Sequence, residues 1–179
     1  ASLGAQSFHD ATLTRLNRTL SSALDPDTVL KEITRSAAQL MQVRGASFWL
    51  ADEAARTLTL VGFSDPALEA DLPARAMSLD EGLLGWIATH QRLVNAADVF
   101  TDARFLNPGW WRGHGLKSFV GAPVVHGGSV LGVLALVGAE PIHLDTEDEA
   151  ILGAFVVQAA VAIQNASLYA SAQAQAREL

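Results

Sequence analysis

The stretch Asp98–Gly115, DVFTDARFLNPGWWRGHG, holds the densest collection of chemically capable side chains in this sequence. It carries two aspartates, two arginines, a histidine, two tryptophans and two phenylalanines. A largely apolar wall with a few placed polar groups is what a small-molecule pocket requires. Phe105, Trp110 and Trp111 supply wall, and Asp98, Arg104 and His114 supply polar groups. Trp86 and His90 precede the stretch and Phe119 follows it, which completes the candidate ligand set. The same residue types also serve structure, since Asp–Arg pairs tie loops together and tryptophans fill cores.

Several chemistries are excluded by composition. The chain has no cysteine, which removes disulfides, thiolate nucleophiles, cysteine zinc sites and thioether-linked chromophores together. No serine stands in a GxSxG elbow, so nothing here predicts an enzyme. His9, His90, His126 and His143 have no metal-ligand spacing with His114, and no metal site is expected. Net charge is −7, with only Lys31 and Lys117 as lysines and no basic stripe, which disfavours nucleic acid and a polybasic membrane contact. No signal peptide is visible, and the longest apolar run, Val130–Ala139, is far below the ~20 residues that span a bilayer. A reducing, cytoplasmic setting fits this composition.

The element that must position the loop is the stretch that follows it, Lys117–Gly138. It reads as two strands joined by Gly127-Gly128, where both residues can take the positive φ of a type I′ turn. That turn pairs His126 with Ser129, Val124 with Leu131, Pro123 with Gly132 and Phe119 with Leu136. Phe119, Gly121, Pro123, Val130, Gly132 and Leu134 then share one face, and Val120, Ala122, Val124, Leu131, Val133 and Ala135 the other. Both faces are apolar, so the hairpin needs a layer on each side. Pro123 has no N–H to donate, which predicts an edge or a bulge beside it.

At 179 residues the chain suits one domain. Leucines at 13, 16, 20 and 24 predict a helix over Phe8–Leu24, and Asp25-Pro26 a capped start for a second, with a Leu24 staple onto Val29. Strands are expected at Ala46–Ala51 and Thr57–Phe63, a loop over Ser64–Met77, a helix over Glu81–Gln91 and a short strand at Leu93–Ala96. Asp145 opens a last helix, with Glu147, Asp148 and Glu149 favouring its positive N-terminus. Leu152, Phe155, Ala159, Ala162, Ala166, Tyr169, Gln173 and Ala176 alternate by three and four along it, as in a coiled-coil seam. The absent initiator Met and the final helical Glu178-Leu179 read as a segment cut from a longer protein.

Five stretches in order are similar to a GAF domain, a small-molecule sensory module of bacterial signalling proteins. Glu81–Trp86 resembles its EGxxGW turn, and Asn95 with Asp98-Val99 and Asp102–Phe105 its DVxxDxRF loop. Gly115–Ser118 into Ala122–Val124, then Gly132–Leu134, resembles its hairpin, and Leu144–Glu149 the entry of its closing helix. The resemblance implies an α+β, PAS-like fold, a central antiparallel sheet of five or six strands with terminal helices on one face and loops and short helices on the other. It divides the chain into an N-terminal helical extension (1–20), the GAF domain (20–170) and the start of a signalling coiled coil (170–179).

By function, the resemblance implies a regulatory domain that binds a small molecule non-covalently and forms a homodimer through its terminal helices. It would control an effector elsewhere in a longer chain, such as a histidine kinase, a cyclic-dinucleotide enzyme or a transcriptional activator. Two alternatives come with it: a ligand-free dimerisation module, and a haem sensor using His114, whose place just before the hairpin is similar to that of some haem-binding members. The likeness to cyclic-nucleotide-binding members is partial: Asn95 and Asp148-Glu149 align, but Leu144 replaces a Phe and a Lys is missing. The enzymatic members, free methionine sulfoxide reductases, work through cysteines.

Overall fold

The structure is a computed structural model that describes residues 25–179. The helix expected over Phe8–Leu24, the Leu24 staple and the extension over 1–20 lie outside the described residues. Helix α1 (Pro26–Leu40) starts as its sequence requires: Asp25 accepts the Asp27 N–H at 3.1 Å and Pro26 occupies the first turn, where its missing donor costs nothing. Val29, Leu30, Ile33 and Ala37 form its buried stripe.

A hairpin of β1 (Gly45–Asp52) and β2 (Thr57–Phe63) comes next. The following stretch, expected as loop, contains a short helix α2 (Pro66–Ala70), capped by Asp65, and an edge strand β3 (Ala76–Ser78). Helix α3 (Gly82–His90) and strand β4 (Val94–Ala96) lie within the expected ranges. The dense loop is more regular than its residues suggest, folding into a 3₁₀ turn (Val99–Thr101) and a helix α4 (Pro108–Gly113). It leads into β5 (Ser118–His126) and β6 (Ser129–Gly138), and α5 (Thr146–Glu178) closes the fold.

The six strands form one antiparallel sheet in the order β3-β2-β1-β6-β5-β4. The β5–β6 hairpin therefore lies beside the middle of the sheet, and both of its faces are covered. Helices α1 and α5 pack together on one face, over Phe48, Val120, Val124, Leu134 and Leu136. The opposite face carries Trp49, Phe119, Val133, Ala135 and Val137 beneath α3 and the loops.

The Gly127-Gly128 turn has the expected positive φ values, 57° and 81°. The register beyond it differs by one residue. Val124 pairs with Gly132, Pro123 with Val133 and Phe119 with Val137, because a β-bulge after Val125–Val130 leaves Leu131 as an extra residue. The inserted residue exchanges the faces of β6, so Leu134 looks toward the helices and Val133 and Ala135 toward the loops. Glu53 steadies the bulge by accepting the Val130 N–H at 2.9 Å. β4 pairs β5 only from Phe119 to Gly121, so Pro123 lies at the open edge its chemistry demands.

The slip also separates two glycines expected on one face. A Cβ on Gly121 would lie 2.3 Å from Ile87 of α3, and one on Gly132 2.5 Å from the Trp49 carbonyl and 2.7 Å from the Phe48 ring. One glycine admits a helix, and the other admits a neighbouring strand.

Asp145 and Asp148 form a capping box at the start of α5. Leu152, Phe155, Ala159 and Ala162 of the three-four alternation are buried against α1 and the sheet, so its first half belongs to the domain core. Beyond Ala162 no residue of α5 is buried. Among the described residues α5 is the one helix long and apolar enough, by length and composition, to cross a membrane.

Candidate functional site

The sheet face opposite α1 and α5 bears a cavity of about 80 Å³. Its floor is the outer side of three central strands, with Ser47 and Trp49 from β1, Phe119 from β5, and Ala135 and Val137 from β6. Alternation along each strand delivers these residues to one face. Leu83 and Leu84 at the start of α3 form a side wall with Phe63 and Met77. Two segments make the roof. Leu72, Pro73 and Ala74 come from the link between α2 and β3, and Phe105, Leu106, Trp110 and Trp111 from the dense loop.

The aromatic roof is a chain of edge-to-face contacts. Phe105 lies 5.3 Å from Trp111, Trp111 5.8 Å from Trp110, and Trp110 6.3 Å from Phe63, measured between ring centroids. Such pairs gain about 0.5–1.5 kcal/mol each beyond their burial. Asn107, at φ 62° in the left-handed region, turns the chain into α4 and presents both tryptophans downward.

One polar clasp joins the two roof segments. The Asp71 carboxylate accepts the Trp110 Nε1–H at 3.0 Å and lies 2.8 and 2.9 Å from His114 Nε2 through its two oxygens. The hydrogen bond from His114, then that from Trp110, holds the Asp71 carboxyl below its ordinary value of 3.8.

The nine residues singled out from sequence separate into four groups. Phe105, Trp110, Trp111 and Phe119 line the cavity together. Trp86, His90 and Arg104 stack outside it: the imidazole lies 4.3 Å from the indole, and the guanidinium 4.4 Å from its ring centre. Arg104 is also bound through two nitrogens to Asp102, at 2.9 and 2.6 Å, which raises the Arg104 pKa and depresses that of Asp102. Asp98 caps the 3₁₀ turn by accepting the Phe100 N–H at 3.0 Å. His114 belongs to the clasp.

Trp49, Phe63, Leu72, Ala135 and Val137 are lining residues that the dense loop alone does not reveal. The period-two pattern of β1 marks Trp49 as opposite to Phe48 in direction, which was available in sequence. Asp71 carried no signal, being 43 residues from His114 and placed beside it only by the fold.

A haem does not fit this arrangement. The His114 Nε2 is committed to Asp71, and the cavity is well below the ~300–1,000 Å³ of pockets for drug-sized ligands. The residues aligned with a cyclic-nucleotide signature are also engaged elsewhere. Asn95 donates to the Ile142 carbonyl at 3.1 Å, Asp148 completes the α5 cap, and neither lines the cavity. No group of three or more metal-ligating side chains occurs among the described residues.

Comparison with solved structures gives the same architecture. The GAF domain of a phosphoenolpyruvate-protein phosphotransferase from Acinetobacter is 23% identical, with a TM-score of 0.74 over 92% of this chain and 98% of its own. Residues 122 to 287 of a methyl-accepting chemotaxis protein are 24% identical, with a TM-score of 0.69 over 86% of this chain and 98% of theirs. The free methionine-R-sulfoxide reductase of Neisseria meningitidis, solved with its substrate, is 17% identical, with a TM-score of 0.75 over 94% of this chain and 95% of its own. No curated protein sequence matches. The sequence profile of the GAF domain matches residues 25–163, which take in the whole of the sheet, α1 and the buried first half of α5, and the protein belongs to the GAF domain family.

Proposed function

We propose that this domain is a non-catalytic, cytoplasmic sensory module that binds a small molecule without a covalent bond and regulates an effector elsewhere in its chain. The observation that carries the reading is the cavity: an aromatic roof of two separate segments, held closed by Asp71, over the floor of the central sheet. A route from cavity to output is built into β6. Ala135 and Val137 line the cavity while the alternating Leu134 and Leu136 pack toward α1 and α5. A ligand that displaces the floor by a fraction of an ångström acts on the helix layer through one strand, favouring one of two helix arrangements. The absence of cysteine supports a non-catalytic role, since the thiol chemistry of the enzymatic members has no residue here to run on.

The proposal includes a homodimer through α5. Its outward side carries Ala150, Ala154, Val157, Val161, Gln164 and Leu168 at alternating spacings of four and three. Val157 is 62% exposed and Leu168 67%, which is unusual for large apolar residues lying in a regular stripe. This register differs from the one the sequence favoured, because the core has taken that one. The effector could be a histidine kinase, a cyclic-dinucleotide enzyme or a transcriptional activator.

The small volume of the cavity favours a second reading, a dimerisation module whose pocket has closed. Native and denaturing mass spectra of the purified protein separate the two. Extra mass in the native spectrum alone, lost in Ala135→Leu, is expected of the sensor. Identical masses under both conditions would favour the closed module.

A further inference from the structure

Taking the cavity as the ligand site, we infer that its ligand is an uncharged, largely apolar molecule of about one ring, carrying at most one hydrogen-bonding group toward the floor. No Asp, Glu, Lys, Arg or His side chain lines the cavity. The charged groups of the two roof-bearing segments are engaged away from it. Arg104 is held by Asp102 and lies over Trp86, and Arg112 lies over Phe100 at 4.6 Å. Arg75 meets Glu69 at 3.1 Å, Lys117 meets Asp98 at 3.8 Å, and Asp71 is taken by Trp110 and His114. An ion brought into this space would leave its water and find no counter-charge, which is the costliest form of burial.

The one buried polar side chain in the floor is Ser47, 3% exposed. Trp49 Nε1 donates to its oxygen at 3.0 Å. A hydroxyl offers one donor and two acceptor sites, so Ser47 retains its donor and one acceptor site, enough to serve one hydroxyl or carbonyl group of a ligand. The Trp110 Nε1–H is already turned outward to Asp71.

Size follows from the volume. A dry cavity of ~150 Å³ in another protein admits benzene, about twice the present space, so a ring enters only as the rim yields. The rim is suited to this, because Pro73, Leu106 and Asn107 are exposed.

Four probes of equal ring size and different charge test the inference on the 179-residue chain at neutral pH: toluene, benzyl alcohol, benzoate and benzylamine. Quenching or shift of tryptophan fluorescence reads binding near Trp49, Trp110 and Trp111. Ala135→Leu fills the floor, and Ala74→Trp blocks the rim without touching the sheet. We expect toluene and benzyl alcohol to bind, benzoate and benzylamine to bind about tenfold or more weakly, and both variants to lose binding.

Tighter binding of either charged probe, with loss in both variants, would overturn the neutral class while leaving the cavity as the ligand site. Failure of all four probes to bind would overturn the one-ring inference. Binding that persists in both variants would overturn the cavity reading itself.

Discussion

At the residue scale, the most informative side chain is Asp71. It has three hydrogen-bonding contacts and fastens the link after α2 to helix α4, so the roof of the cavity closes through one exposed carboxylate. Its depressed pKa fixes the sign of the acid response. The carboxylate's contribution is complete above 3.8 and is lost as pH falls through the lower, folded value. A carboxyl-detected NMR titration is expected to place the Asp71 midpoint below 3.8 in the wild type and closer to 3.8 in His114→Ala. An unchanged midpoint in the variant would remove His114 as the cause. The sequence could name His114 as a chemically capable residue but not its partner, since nothing local links positions 71 and 114. It also placed Trp86, His90 and Arg104 in the pocket, whereas they form a stack on the outside, because Asp102 draws the guanidinium across the indole.

At the scale of elements, what could be read from sequence was what local rules decide. Asp25-Pro26 set the start of α1, Asp145 with Asp148 that of α5, and Gly127-Gly128 the tight turn of the hairpin. The bulge at Leu131 escaped because it depends on how β6 meets β1 and β5 together, and one extra residue then reversed the faces of a whole strand. The same limit applies to α5. An alternation by three and four shows that a helix has a stripe but not whether that stripe meets its own sheet or another chain. The structure gives Leu152, Phe155 and Ala159 to the core and leaves Val157, Val161 and Leu168 outside. Val157→Lys is therefore expected to convert the proposed dimer to monomer in light scattering while changing the monomer's unfolding free energy by no more than about 0.5 kcal/mol, as for other surface substitutions. A dimer that survives this change and Leu168→Lys would place the contact elsewhere.

At the scale of the molecule, the fold is a sheet with two different covers. One cover, α1 and α5, continues into an exposed helix of several turns past the last buried residue, Ala162. The other, made of α2, α3, α4 and their connections, encloses a small apolar space. The five family-like stretches made this arrangement legible, while the charge-free lining could not be read before the charged loop residues were seen to pair among themselves. In the proposed mechanism the space on one face controls the helix on the other. Effector output of the intact protein, compared between the wild type and Ala135→Leu at equal folded fraction, tests it most directly. Filling the floor is expected to fix the output at one level and abolish its response to growth conditions; output and response indistinguishable from the wild type would rule the mechanism out.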